Sequence, residues 1–250
     1  MNKKSLGEKI RKLREECRLT QEELARKLGI PRPSVSQIES GQREVTAKEL
    51  LALSHIFETS TDELLLEDNR QRKDIKLRQM GKLPPFNKEM FKQVLLYILN
   101  KCGGKPNVGK TVLYKLLYFC DFNYYEKYEE PLTGAAYRKI MHGPAPCEFE
   151  DIIAEMEKNK QIQEVPSSYY DKPQIKYLAL VEPDIDRLSA GQKELIDKVI
   201  ETLSDFDANK ISEYSHDDVP WQATEEKEII DYELVFYRTP AYSVRSYSED

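Results

Sequence analysis

The sequence predicts a mainly α chain of two domains, a small all-helical one followed by a larger, mostly helical α+β domain with a small antiparallel sheet. Two observations predict this division. All 15 tyrosines and the single tryptophan lie from Tyr97 onward. Residues 1–83 carry 18 lysines and arginines against 14 acids, whereas residues 84–250 carry 20 against 30, which accounts for the net charge of −6. A basic head suits nucleic acid, and an acidic body is better matched to protein or solvent.

Two short helices joined by a tight turn are predicted between Thr20 and Gly41. Thr20 and Glu23 form a capping box that begins the first helix, and Gly29 ends it. Apolar residues at helical spacing turn both helices onto one core. Such a pair is a helix-turn-helix, and the exposed face of its second helix suits a DNA groove. The outward positions of that helix are Arg32, Pro33, Ser34, Ser36 and Gln37.

Further helix starts are predicted on both sides of this pair. Ser5, Thr46 and Ser60 are each followed three residues later by glutamate, which is the capping-box spacing. We therefore expect a unit of five helices over residues 5–66, without strands. The sequence of this unit, LGEKIRKLREECRLTQEELARKLGI, PRPSVSQIESG and TAKELLALSHIFETSTDELL, resembles the Xre, or lambdoid-repressor, helix-turn-helix family over its whole length.

The resemblance implies a DNA-binding domain over residues 1–66. It implies that Gln21 holds a phosphate and orients a neighbour that reads bases, and that Arg43 touches the DNA backbone. Arg32, Pro33, Ser36 and Gln37 occupy the positions that face base edges. Proline at position 33 departs from the glutamine common in the family, and it offers only apolar contact, for example to a thymine methyl group.

A polar and basic connector is predicted over residues 67–85, ending in Pro84 and Pro85. The second domain is expected over residues 86–230, followed by a weakly ordered tail over 231–250. Helical spacing of apolar residues predicts its helices, and alternation predicts a short hairpin. The expected helices run from about Phe91 to Gly103, Thr111 to Lys127, Cys147 to Lys158 and Ser189 to Leu203, and the expected strands are 162–165 and 175–181.

The segment GKPNVGKT, Gly104 to Thr111, fits the P-loop pattern of nucleotide-binding proteins. A P-loop must follow a buried strand and be served by an acid on a second strand. The residues before Gly104 are instead amphipathic at helical spacing. We therefore interpret the segment as a helix end, a loop and the next helix start. If ATP bound here, Lys110 and Thr111 would carry it.

The segment KTVLYKLLYFCDFNYYEKYEEPLTGAAYRKIMHGPAP resembles the Panacea domain of SocA-like and GepA-like antitoxins. The resemblance covers about residues 90–222. It departs at His142, where the family commonly has an aromatic residue. It implies a mostly helical domain with a small sheet that binds and neutralises a toxin protein. The matching elements are Lys115 to Tyr118 with Asp121, Gly143 to Pro146, and His216 with Pro220 and Trp221.

A rigid proline-rich turn can present residues to a protein partner at little entropic loss. The predicted partner-binding residues are Tyr137, Arg138, Lys139, His142, Gly143 and Pro144. The competing interpretation is that the turn only fixes how the following helix enters the core. We expect no enzyme activity, because neither His142 nor His216 is paired with a nucleophile by sequence. We also expect no cofactor and no metal, because the four cysteines form no CxxC pair.

These observations predict a cytoplasmic antitoxin that represses its own operon through operator DNA and sequesters a cognate protein toxin. Repression favours a homodimer, since helix-turn-helix proteins read paired half-sites. No membrane association is expected, because there is no long apolar run. The alternatives are a phage or mobile-element repressor whose second domain oligomerises or senses a ligand, and an NTPase with a DNA-binding head.

Overall fold

The computed structural model describes residues 3–17, 19–57, 61, 64, 83–170 and 172–245. The chain divides into two compact units, Met1–Lys76 and Leu77–Asp250, each with its own hydrophobic core. Most of the predicted connector over residues 67–85 lies outside the described residues. Among the described helices, none combines the length and the apolar character needed to cross a bilayer.

Four helices of the first unit are described: α1 (Lys3–Glu16), α2 (Gln21–Leu28), α3 (Arg32–Glu39) and α4 (Ala47–Ile56). The capping boxes at Thr20 and Thr46 are both present. The predicted cap at Ser5 is wrong, because α1 already begins at Lys3 and continues into the turn that buries Leu6. The predicted cap at Ser60 lies outside the described residues.

Helices α1 and α3 approach each other closely at Gly7. A Cβ atom at this position would lie 2.3 Å from the carbonyl oxygen of Ile38 and 2.7 Å from that of Glu39. Glycine is therefore required for the two backbones to meet. Its neighbours Leu6 and Ile10 are buried in the same core as Leu24 and Ile38. This contact fixes the end of α3 against the rest of the unit.

The second unit is built around one buried helix. The six helices described here are α5 (Lys88–Cys102), α6 (Lys110–Tyr128), α7 (Phe149–Lys158), α8 (Ala190–Leu203), α9 (Ala208–His216) and α10 (Val219–Gln222). Almost every residue of α6 from Val112 to Phe122 is buried, because α5, α8, α9 and the first hairpin pack around it. The sequence predicted α5 to α8 but neither α9 nor α10.

Two antiparallel hairpins complete this unit, where one small sheet was predicted. Strand β1 (Tyr137–Ile140) pairs with β2 (Gly143–Pro146), and β3 (Ile162–Tyr169) pairs with β4 (Lys172–Ala179). The expectation that Gly143 to Pro146 is a turn is wrong. The reversal occurs at Met141 and His142, and Gly143, with φ of 96°, returns the chain. Prolines are tolerated in β2 because a two-stranded sheet has only edge strands.

The predicted weakly ordered tail from Asp231 is also corrected, as far as residue 245. Residues Tyr232–Tyr237 form a 3-10 helix. Tyr232 is buried, stacks on Phe122 with ring centres 4.3 Å apart, and donates a hydrogen bond to the carbonyl oxygen of Ala135. Arg238 follows it into the core. Aromatic and cationic side chains therefore anchor this segment to the core of the second unit, although its sequence predicted weak order.

Candidate functional site

The outer face of α3 is the candidate DNA-reading surface. Its side chains Arg32, Pro33, Ser36 and Gln37 are exposed, and Ser34 is half-buried. Val35 and Ile38 are 1% and 2% exposed and hold the opposite face in the core. Pro33 lies in the first turn of α3, where its missing N–H would have no helical partner in any case. The helix therefore presents the five predicted reading positions together.

A buried ion pair fixes the far end of α3. Arg14 Nε donates to Glu39 Oε1 at 2.6 Å, and Arg14 Nη1 donates to the carbonyl oxygen of Leu19 at 2.8 Å. The half-buried Gln21 donates through Nε2 to Glu39 Oε2 at 2.9 Å. Because Arg14, Gln21 and Glu39 belong to α1, α2 and α3, the orientation of the reading helix depends on all three. The predicted phosphate contact of Gln21 stays a prediction.

Arg43 forms an ion pair within the first unit. Its Nη2 donates to Glu49 Oε1 at 2.7 Å, and Glu49 is also the residue that caps α4 together with Thr46. The side chain of Arg43 is 32% exposed. Its predicted role at the DNA backbone stays a prediction, and the structure adds a role in holding the loop before α4.

In the second unit, Asp121 joins α6 to the loop before β1. This fully buried carboxylate accepts hydrogen bonds from the backbone N–H of Thr133 at 2.7 Å, the hydroxyl of Thr133 at 2.6 Å and the hydroxyl of Tyr137 at 2.7 Å. Burial raises the pKa of Asp121 to about 6, and these hydrogen bonds oppose the rise. Asp121 is thus a structural acid.

A second buried carboxylate, Asp218, is held by three donors. Tyr118 donates to Oδ2 at 2.8 Å, and Arg238 donates to Oδ1 and Oδ2 at 2.9 and 2.6 Å. Arg238 also donates to Glu126 at 2.9 Å and to Asn123 at 2.8 Å. The group joins α6, the start of α10 and the C-terminal segment.

Lys115, in contrast, is buried without a counter-charge. Its side chain lies beside Gly143 and Ser215, since a Cβ on Gly143 would be 2.7 Å from Lys115 Cε and 2.3 Å from Ser215 Oγ. The residue is 1% exposed, and its ammonium makes no hydrogen bond or ion pair with any residue that the structure describes. Burial alone lowers the pKa of Lys115 to about 7.

His216 and Trp221 form a stacked pair next to this lysine. Their ring centres are 4.1 Å apart with an interplanar angle of 19°, and Lys139 Nζ lies 3.9 Å from the centre of the indole. Burial lowers the pKa of His216, and the charge of Lys115 lowers it further. Within the described part of the chain, neither His216 Nε2 nor Trp221 Nε1 has a hydrogen-bond partner, although both atoms are buried.

The predicted partner-binding residues are only partly on the surface. His142 is exposed and Arg138 is half-buried. The expectation that the others form an exposed surface is wrong for Tyr137, Lys139, Gly143 and Pro144, which are buried because β1 and β2 pack on α6. Lys139 also donates to the carbonyl oxygen of Thr224 at 2.9 Å. The exposed part of this hairpin is its tip, Met141 and His142.

The GKPNVGKT segment lies between two helices, as predicted. Helix α5 ends at Cys102 and α6 begins at Lys110, so no strand delivers the loop. Its polar groups are engaged within the unit. Gln174 donates to the carbonyl oxygen of Pro106 at 2.7 Å, and Lys110 pairs with Glu150 at 2.6 Å. The match to the P-loop pattern is therefore accounted for by packing.

Two family models match the chain, and they match the two units separately. The helix-turn-helix model covers residues 10–64. The model described as "Antitoxin SocA-like, Panacea domain" covers residues 113–222. The chain therefore carries a helix-turn-helix domain at residues 10–64, followed by a SocA-like Panacea domain at residues 113–222. Lys115, Asp121, Asp218 and the stacked His216 and Trp221 all lie within the Panacea match.

Individual relatives match about a quarter of the chain. The uncharacterized HTH-type transcriptional regulator YqaE of Bacillus subtilis (strain 168) is 38% identical over 66 residues, which are 26% of this chain and 57% of that protein. The HTH-type transcriptional regulator DicA of Escherichia coli (strain K12) is 42% identical over 64 residues, 26% of this chain and 47% of the relative. The chain spans about half the length of the curated relatives it matches.

Among solved structures, the restriction-modification controller protein C.AhdI from Aeromonas hydrophila is 34% identical. That alignment covers 25% of this chain and 94% of the controller, with a TM-score of 0.24.

The sequence missed two elements of the Panacea site. Arg238 lies in the predicted tail, and no local pattern pairs it with Asp218, 20 residues earlier. Asp218 occupies the N-cap position of α10, but its carboxylate is buried, whereas acids usually face solvent. Lys115 and Trp221 were noted as motif residues, but no local pattern shows that their nitrogens are buried.

Proposed function

We propose that this chain is the antitoxin of a type II toxin–antitoxin system. The helix-turn-helix domain binds operator DNA and represses its own operon, and the Panacea domain neutralises a cognate protein toxin by direct binding. The main support for the proposal is that one chain contains both domain matches. The exposed face of α3 supports the DNA-binding half, and the names of the matched regulators agree with it.

The proposed reading set is Arg32, Pro33, Ser34, Ser36 and Gln37, supported by Gln21 and Arg43. Arg32 is the strongest candidate, because an exposed arginine at the start of a reading helix can form two hydrogen bonds to guanine. A homodimer on two half-sites fits this mode of binding. The tip of the β1–β2 hairpin, with Arg138 and His142, is the proposed edge of the toxin-binding surface.

The test is growth of a host that expresses the open reading frame adjacent to this gene, with and without the full chain, followed by co-purification of the pair. Killing by the neighbour, rescue by this chain and a stable complex are the expected results. A toxic neighbour that is not rescued, or a harmless neighbour, would refute the antitoxin function. The latter result would favour a repressor whose Panacea domain oligomerises or senses a ligand.

A further inference from the structure

Three neighbouring side chains of the Panacea domain, linked through His216, each carry a nitrogen without a hydrogen-bond partner among the described residues, and we name this group the Lys115 centre. It consists of Lys115, His216 and Trp221, next to the Gly143 turn. Lys115 Nζ makes no hydrogen bond or ion pair with a described residue. The buried atoms His216 Nε2 and Trp221 Nε1 also have no hydrogen-bond partner among the described residues. Folded proteins leave few buried polar groups unsatisfied, so such a cluster requires an explanation.

The chemistry of these three groups defines what is missing. An ammonium and an indole N–H can only donate, and a neutral imidazole donates through one of its two nitrogens. The ammonium and the indole N–H each need an acceptor, and His216 Nε2 needs one in the tautomer that carries its proton there. A negative charge is favoured, since Lys115 is 1% exposed and no carboxylate pairs with it among the described residues. Burial of an unpaired cation is unfavourable, and an incoming anion relieves it.

The surrounding charges agree with an anionic ligand. Lys139 lies over the indole of Trp221, and the charges of Lys139 and His142 both act on His216. The nearby acid Asp218 is already bound by Arg238 and Tyr118. Asp217 acts on His216 with the opposite sign, but its side chain is exposed. The local balance is therefore positive in a domain sequence that is acidic overall.

We propose that the Lys115 centre binds a carboxylate, supplied by an aspartate or glutamate side chain of the protein that the Panacea domain neutralises. This inference rests on the proposed function. A carboxylate matches the single charge of Lys115 and offers two acceptor oxygens for three donors. A phosphate is bulkier and more highly charged.

Access is provided by the residues around the centre. The side chains of His216 and Trp221 are partly exposed, whereas their unsatisfied nitrogens are buried. The hairpin tip at Met141 and His142 is exposed and could meet the same partner. The partly exposed side of the stacked rings is therefore the side from which we expect an acidic side chain to approach.

Trp221 provides a direct probe, because it is the only tryptophan in the chain. Its indole N–H resonance is followed in the ¹⁵N-labelled full-length protein during titration with sodium acetate, with sodium chloride as the salt control. We expect a saturable shift with acetate and none with chloride. The shift should vanish in Lys115→Met and persist in Lys110→Met. The latter removes a lysine from the same helix that already pairs with Glu150.

The second arm uses the complex with the neutralised protein. Its binding should move the same indole resonance, and one Asp→Asn or Glu→Gln change in the partner should abolish that shift. Lys115→Met should weaken the complex about thirtyfold or more, as for the loss of a buried charge partner, and Lys110→Met less than about twofold.

The outcomes separate this inference from the proposed function. A complex that forms without moving the Trp221 resonance, and that tolerates Lys115→Met, overturns the inference and leaves the antitoxin function standing. If acetate shifts the resonance but the partner protein does not, the inference that a side chain of the partner is the ligand is overturned. The ligand is then a free carboxylate. If no complex forms, the proposed function is refuted, and so is the inference that a carboxylate of the partner protein binds the centre. The acetate titration then still decides whether the centre is an anion site.

Discussion

Arg238 and Asp218 form a buried two-point ion pair in which the guanidinium donates to both carboxylate oxygens, at 2.9 and 2.6 Å, with both side chains 0% exposed. Tyr118 and Glu126 of α6 complete the group. Such pairs contribute less to stability than their contacts suggest, because both charges are desolvated, but removal of one partner is strongly unfavourable. The pair therefore makes the C-terminal segment indispensable to the Panacea domain.

Asp218→Asn should lower the free energy of unfolding of the Panacea domain by about 3 kcal/mol, because Arg238 then lacks its main counter-charge. Urea unfolding followed by the fluorescence of Trp221 measures this. Asp205→Asn is the matched control, since Asp205 pairs with Lys105 while 79% exposed and should change stability by less than about 1 kcal/mol. If both changes lowered the free energy of unfolding equally, the buried ion pair would contribute no more to stability than the exposed one.

Gly7→Ala should destabilise the helix-turn-helix domain by about 1–3 kcal/mol, because the added methyl group meets the carbonyl oxygens at the end of α3. Amide hydrogen exchange of α1 and α3 measures the loss of protection. Gly104→Ala provides the control, as nothing lies within 4 Å of a Cβ built there. If the amides of α1 and α3 in Gly7→Ala kept the exchange protection of the wild type, α1 would have shifted to accept the methyl group without loss of stability.

Arg32→Ala should weaken operator binding by about 1–3 kcal/mol and relax the preference at one base pair, if Arg32 reads guanine. Affinity for DNA selected by the full chain from a random library measures both effects. Arg11→Ala removes the same charge from α1, where Arg11 pairs with Glu15 and is 64% exposed. A uniform loss on all sequences with a smaller salt slope would instead make Arg32 a phosphate contact.

The contribution of Lys115 to the stability of the Panacea domain should rise with pH between about 7 and 10.5. Burial lowers the pKa of Lys115 from 10.5 to about 7, so the unfolded chain binds one more proton across this range. Unfolding then takes up a proton, and a higher pH opposes it. Urea unfolding at several pH values measures the slope.

Lys115→Met should remove this part of the slope and raise stability at pH 7 by a few kcal/mol, because each unit of pKa shift corresponds to about 1.4 kcal/mol. Lys110→Met serves as the control and should leave the slope unchanged. A slope identical in wild type and Lys115→Met would mean that Lys115 keeps its proton in the folded state.

The helix-turn-helix could be predicted because its signals are local. Thr20 and Glu23 are three residues apart, Gly29 follows the last turn of α2, and Val35 and Ile38 share one helical face. Each of these depends on neighbours within one or two turns. The side of α3 that faces outward follows directly from that spacing.

The Panacea site was less accessible to sequence reasoning because its contacts join distant residues. Tyr118 lies 100 residues before Asp218, and no local pattern connects the two. Tyr137 was predicted to face a partner, yet its hydroxyl donates to buried Asp121. Polar residues indicate a surface on average, but only the fold shows which of them have a partner inside.

The long separation between Glu126 and Arg238, 112 residues, also bears on how the protein is made. The described core of the helix-turn-helix domain extends only as far as Leu64, so this domain can fold while synthesis continues. The Panacea domain cannot neutralise its buried carboxylates until Arg238 has left the ribosome. We infer from the proposed function that each new molecule folds its proposed DNA-binding domain before its proposed toxin-binding domain.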